Sequence, residues 1–182
     1  MPNGVVALFE TDITSRINDL WVLFERLLGH HPEALAPFAH LSFHGAVRYE
    51  TAALATDLVR LASELEPITI QSSGLGIFTG PAPVLYISVV RTPELSAFHE
   101  KVWHLADKHA IETNPYYHPA RWVPHITLGH SGLQEGDLVT LVKAVHEQSF
   151  SWPISITSLS FTDDTPTQPH QLQRIIDLKG PI

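Results

Sequence analysis

Apolar residues along the chain fall into short runs and helical stripes that recur twice in much the same order. Residues 4–10 (GVVALFE) form an apolar run between Pro2 and Thr11-Asp12, the mark of a buried strand. Ile17, Leu20, Trp21, Phe24, Leu27 and Leu28 then repeat at helical spacing, and Gly29 is a natural stop. His30 and His31 follow that stop, where a positive charge suits a helix C-terminus. A strand over about Ala39 to Tyr49 leads to a second amphipathic helix on Leu54, Leu58, Leu61 and Leu65, ended by Pro67. Residues 68–71 and 75–78 read as strands around Ser72-Ser73-Gly74. Val84 to Val90 is apolar on both faces, as a central strand would be.

Thr92-Pro93 opens the next helix as an N-cap followed by a first-turn proline. Leu95, Phe98, Val102 and Leu105 are its buried stripe, which leaves His99, His104 and His109 as surface or boundary residues. Residues 112–124 read as a loop rich in proline and aromatics, delivering the chain to a strand at His125. Leu138, Leu141, Val142 and Val145 mark a last helix. Trp152, Ile154 and Ile156 alternate with polar residues, but the apolar parity then switches to Leu159 and Phe161, as at a bulge or a change of environment. Thr162 to Pro169 reads as a turn-rich loop and Leu172 to Leu178 as a closing strand. No linker is long enough to separate independent domains, so residues 1–182 are expected to fold as one.

Two tetrapeptides stand out against this pattern, His40-Leu41-Ser42-Phe43 and His125-Ile126-Thr127-Leu128, whose histidines are 85 positions apart. Successive side chains of a strand point to opposite faces. His40 and Ser42 therefore share one face, as do His125 and Thr127, while the apolar residues turn to a core. With 12 histidines in 182 residues, one such tripeptide is unremarkable; two in strand contexts half a chain apart are not.

Composition narrows the chemistry. The chain has no cysteine, which excludes disulfides, thiolate catalysis and cysteine zinc sites. Its formal charge is −8, with 11 Lys and Arg, which argues against binding long duplex nucleic acid. A nucleotide or a short oligonucleotide end remains feasible if positive charge gathers in one cleft. No basic leader and no 18-residue apolar run occur, so a cytoplasmic protein with no membrane association, a monomer, is expected.

The two H-x-[ST]-x motifs resemble those of the 2H phosphoesterase superfamily, and within it the bacterial RNA 2',3'-cyclic phosphodiesterase and 2'-5' RNA ligase-like proteins. The resemblance covers nearly the whole chain in order of elements. It implies an α+β fold of two pseudo-symmetric lobes, with two antiparallel sheets flanking a cleft and helices outside. It also implies a metal-independent phosphodiesterase, with no cofactor, acting on 2',3'-cyclic phosphate ends of RNA or nucleotides; 2'-5' ligation is the reverse reaction. His40 and His125 would be the catalytic pair, with Ser42 and Thr127 holding the phosphate. An imidazole serves either as acid or as base near neutrality, and hydroxyls can donate to non-bridging oxygens. Family analogy makes His125 the base and His40 the acid.

Further cleft candidates surround these four. His44 continues the parity of His40 and Ser42. His130 lies where the family often carries arginine, and a histidine is a weaker clamp than a bidentate guanidinium. Arg48, Arg91 and Arg121 are candidate replacements, and Tyr116, Tyr117 and Trp122 could stack on a base. A zinc site on His40, His44 and His125 is the rival enzyme reading, but it lacks an acidic partner motif. The rival from another class is a nucleotide or RNA-end binding module without turnover.

Overall fold

The computed structural model describes residues 3–29, 38–130, 133, 135–163 and 171–179. His30, His31 and most of the loop after Thr162 lie outside the described residues. Ten strands and four helices follow in the order β1 (Asn3–Leu8), α1 (Thr11–Leu28), β2 (His40–Tyr49), α2 (Thr51–Glu64), β3 (Ile68–Phe78), β4 (Val84–Val89), α3 (Pro93–Asp107), β5 (Ala110–Thr113), β6 (His125–Gly129), α4 (Glu135–Val145), β7 (Pro153–Ile156), β8 (Ser158–Asp163), β9 (Gln171–Leu172) and β10 (Ile176–Asp177). The helix boundaries have local causes. Gly29 closes α1 in the left-handed conformation at φ 72°, and the Thr92 hydroxyl caps α3 by accepting from Leu95 N at 3.1 Å.

Two antiparallel sheets result, as the resemblance implied. One has the order β10-β8-β1-β2-β5 with β9 beside β8; the other is β6-β4-β3-β7. Each half of the chain contributes to the other's sheet: β3 joins the sheet of β4 and β6, and β5, β8, β9 and β10 join the sheet of β1 and β2. The parity switch near residue 157 marks that passage, since β7 belongs to one sheet and β8 to the other. The helices cross as well. α1 connects β1 to β2 yet packs on β6 and α4, and α3 follows β4 yet packs on β2. One apolar cluster, from Val5 through Leu178, runs beneath both motif strands.

Some expectations need correction. Residues 68–78 are one strand, with an irregular register between Ser72 and Leu75; Gly74 takes a φ of 122° there, which is open to glycine. The first half of β3 pairs with β7 and the second with β4, so a change of partner looked like a break. The loop expected from residue 112 includes the end of β5, which pairs with β2. The closing strand is two two-residue strands, β9 and β10, both on β8. His99 is fully buried, unlike His104 and His109, because it hydrogen-bonds across to β2.

Candidate active site

The two motif strands share an irregularity that the tetrapeptides do not announce. β1 sets Val6 opposite Ser42 and Val5 opposite His44, leaving Phe43 as an extra residue. β4 sets Tyr86 opposite Thr127 and Leu85 opposite Gly129, leaving Leu128 extra. The fourth residue of each motif is thus a β-bulge, and a bulge re-aims the side chains that follow it. Before the bulge the expected parity holds: His40, Ser42, His125 and Thr127 all line one cleft of about 720 Å³. After it the parity is reversed, so positions 45 and 130 replace 44 and 129 on the cleft face.

The histidines are anchored alike. His40 Nδ1 lies 3.0 Å from Phe38 O and His125 Nδ1 lies 2.8 Å from Val123 O, in each case the carbonyl two residues upstream. A carbonyl only accepts, so Nδ1 carries the proton on both rings and Nε2 is the working nitrogen. Burial lowers both pKa values below the ordinary 6.5, and the nearby His125 pushes His40 down further. The His125 ring is steadied by Phe78, edge-on at 4.9 Å, and by Tyr86 at 5.3 Å.

Ser42 shares its wall of the cleft with the Tyr117 phenol, whose pKa burial raises. Tyr117 fits there because position 45 is glycine; a Cβ on Gly45 would lie 2.7 Å from its ring.

The other candidates separate into three groups. His130, Tyr116, Tyr117 and Arg121 line the cleft, with the Arg121 guanidinium 5.5 Å from the exposed Tyr116 ring. His44 and Trp122 border it, but their rings are committed elsewhere. The His44 ring bonds Tyr49 Oη at 2.6 Å, packs on Trp103 and sits 3.5 Å from Asp107, where burial pushes it down to about 4 despite that carboxylate. The bulge turned it away from the face that simple alternation assigns it. Trp122 is buried, stacks on His99 at 3.8 Å and donates Nε1 to Ser42 O at 3.0 Å, so it braces the wall instead of offering a platform. Arg48 and Arg91 are not in the cleft. Arg48 is exposed on β2 beside Ile111, and Arg91 ties the loop by donating to Trp122 O at 3.0 Å and to Pro119 O.

Several cleft residues had no sequence signal. Asn3, Phe78, Thr79, Asn114 and Thr162 come from strand ends and turns far apart in the chain. Asn3 is buried and donates to Val47 O at 3.2 Å, while its Oδ1 has no partner among the described residues. No cluster of three or more His, Asp or Glu suited to a metal occurs among the described residues, and none of their helices is long and apolar enough to cross a membrane.

Comparison with known proteins bears on the fold and the family. Among solved structures, one titled as a phosphoesterase is similar at a TM-score of 0.59 and 15% identity, covering 97% of each chain. Escherichia coli LigT complexed with 3'-AMP is similar at 0.57 and 13% identity, and LigT complexed with NADP+ at 0.55 and 14%; both cover 97% of this chain and 96% of theirs. At such identities the likeness establishes the fold. No curated protein sequence matches. The family model of the 2'-5' RNA ligase superfamily matches residues 9–165, and the chain belongs to that family.

Proposed function

We propose that this chain is a metal-independent phosphodiesterase that opens 2',3'-cyclic phosphate ends of nucleotides and short RNA, and that works in reverse as a 2'-5' RNA ligase. The observation that carries the reading is the matched anchoring of His40 and His125 through Nδ1, each ring beside a hydroxyl on the same cleft wall. In the hydrolytic direction His125 Nε2 takes a proton from water as its oxygen attacks phosphorus. One bond from phosphorus to a ribose oxygen breaks, and protonated His40 gives its Nε2 proton to that oxygen. Ser42 and Thr127 donate to the non-bridging oxygens as charge builds there. The reaction leaves His125 protonated and His40 neutral, and exchange with solvent restores the pair. A ribose hydroxyl in place of water gives ligation.

The charge around the cleft supports a small substrate. Of the three candidate arginines only Arg121 lines the cleft, in a chain of formal charge −8. One permanent cation suits a single phosphodiester better than a long polyanion, whose binding needs many phosphate contacts. The LigT complexes with 3'-AMP and NADP+ support a nucleotide as the occupant. Turnover of a 2',3'-cyclic nucleotide, measured with and without chelator, tests the reading. Chelator-resistant hydrolysis to a monophosphate is expected. Binding without turnover would favour a nucleotide-binding module, and loss with chelator would favour a metal enzyme.

A further inference from the structure

A bulge leaves a backbone carbonyl out of the strand ladder, and a buried carbonyl without a donor is costly. Both bulges here lie in the core: Phe43 and Leu128 are 0% exposed. Each carbonyl is met by a side-chain ring. Trp21 Nε1 in α1 donates to Leu128 O at 3.0 Å, and His99 Nε2 in α3 lies 3.0 Å from Phe43 O. The pairing is crosswise, since α1 belongs to the first half of the chain and holds the second motif, while α3 does the converse. His99 is itself fixed by its stack on Trp122, 3.8 Å away and 7° from parallel, and Trp122 donates to Ser42 O next to the bulge.

We infer that Trp21 and His99 are positioning residues, each using a ring N–H to hold the bulge of the other half's motif strand and thereby to aim Thr127 or Ser42 at the phosphate. Removing the donor would leave a buried carbonyl to find water or to pull the strand toward regular pairing. Regular pairing would return positions 44 and 129 to the cleft face and shift the strand segment that carries each hydroxyl. Simple packing does not account for the choice of residue. Trp103, also buried in α3, keeps its Nε1 without a partner among the described residues, so an indole here can fill space and nothing more. Trp21 and His99 instead meet equivalent atoms, the carbonyls of the fourth residue of each motif, in two strands 85 positions apart. The crossing also ties the halves together, because neither motif is completed by its own half.

The assignment rests on the phosphodiesterase reading, and double-mutant cycles on the full chain separate the two. Trp21→Phe and His99→Phe keep ring packing and remove the N–H. Each should lower kcat roughly 10-fold with little change in KM, as expected when reacting groups are misaimed. His99→Phe should then add little in a Ser42→Ala background, and Trp21→Phe little in Thr127→Val, while the opposite pairings stay multiplicative. Trp103→Phe is the matched control and should leave kcat unchanged. The same cycles are read in the dissociation constant of inorganic phosphate. Multiplicative losses in every pairing would overturn the positioning role and leave the phosphodiesterase reading intact. Selective coupling in phosphate binding, with no turnover of any 2',3'-cyclic nucleotide by the unmodified protein, would overturn the functional reading alone. A protein that neither turns over the nucleotide nor binds phosphate would overturn both.

Discussion

The motif strands β2 and β6 are alike up to the bulge and unlike beyond it. Both put a histidine and a hydroxyl on the cleft face, and both anchor Nδ1 to the carbonyl two residues upstream. Past the bulge, β2 presents Gly45 under the Tyr117 ring, while β6 presents His130 to the cleft. Behind the bulge, β2 carries the buried His44 against Trp103, whereas β6 carries Gly129 with Leu133 against it. The shared part is what a two-histidine reaction requires of both walls. The unshared part is where one wall became a closed aromatic support and the other stayed open to substrate.

The largest test of that comparison removes the shared part. His40→Ala and His125→Ala should each cut turnover by about 10² to 10⁴, the worth of a positioned proton-transfer group, with much smaller effects on substrate binding. Near-normal turnover in either folded variant would break the equivalence of the walls. The pair should also set a bell-shaped pH profile that persists in chelator. Because burial lowers both imidazoles below 6.5, the optimum of kcat/KM for the free protein should lie on the acidic side of that value. The negative phosphodiester favours imidazolium, so the optimum of kcat should lie at higher pH than that of kcat/KM. Coincident optima at or above neutrality would contradict the environment of both rings.

The hydroxyls come next. Ser42→Ala and Thr127→Val should each cost roughly 10- to 100-fold in kcat, at or below the worth of a strong oxyanion donor. Tyr117 lies on the same wall as Ser42, so Tyr117→Phe should change that wall alone. If the double substitution is silent in steady-state kinetics, the backbone holds the phosphate.

Gly45→Ala addresses the unshared part. Its Cβ would meet the Tyr117 ring, so denaturant unfolding should show a loss of about 1–3 kcal/mol, typical of overpacking, with a several-fold drop in kcat/KM. His130→Ala, which removes a cleft-lining side chain and overpacks nothing, should raise KM and cost less stability than Gly45→Ala. Equal effects on stability would remove the distinction between a closed and an open wall.

The remaining test concerns acid. His44 and His99 are pushed down to about 4 by burial, both behind β2. The unfolded chain binds these protons near 6.5 while the folded chain resists them. Their contribution to stability is therefore complete above pH 6.5 and is lost as pH falls toward 4. The unfolding free energy should fall across that window, and His99→Phe should flatten the slope. A slope unaffected by that substitution would place the acid sensitivity elsewhere.

Much of this was legible along the chain. The helix stripes, the caps at Gly29 and Thr92, the two motifs and the faces of His40, Ser42, His125 and Thr127 depend on local periods of two or 3.6 residues. The parity switch near residue 157 left a bulge and a change of environment both open, and the chain changes sheets there. What escaped depends on partners distant in sequence. Phe43 and Leu128 are bulges only because of how β1 and β4 pair beside them, so alternation misread His44 and gave no structural reason for His130 to face the cleft. His99 reads as a boundary residue on its own helix, and becomes core because α3 lies on β2 with a carbonyl waiting. Arg91 reads as a free cation until the loop carbonyls of Pro119 and Trp122 claim it. Side-chain alternation is a property of the backbone alone and is written in the residues. Register, bulges and the satisfaction of buried carbonyls are properties of pairs of segments, and only the folded chain decides which segments meet.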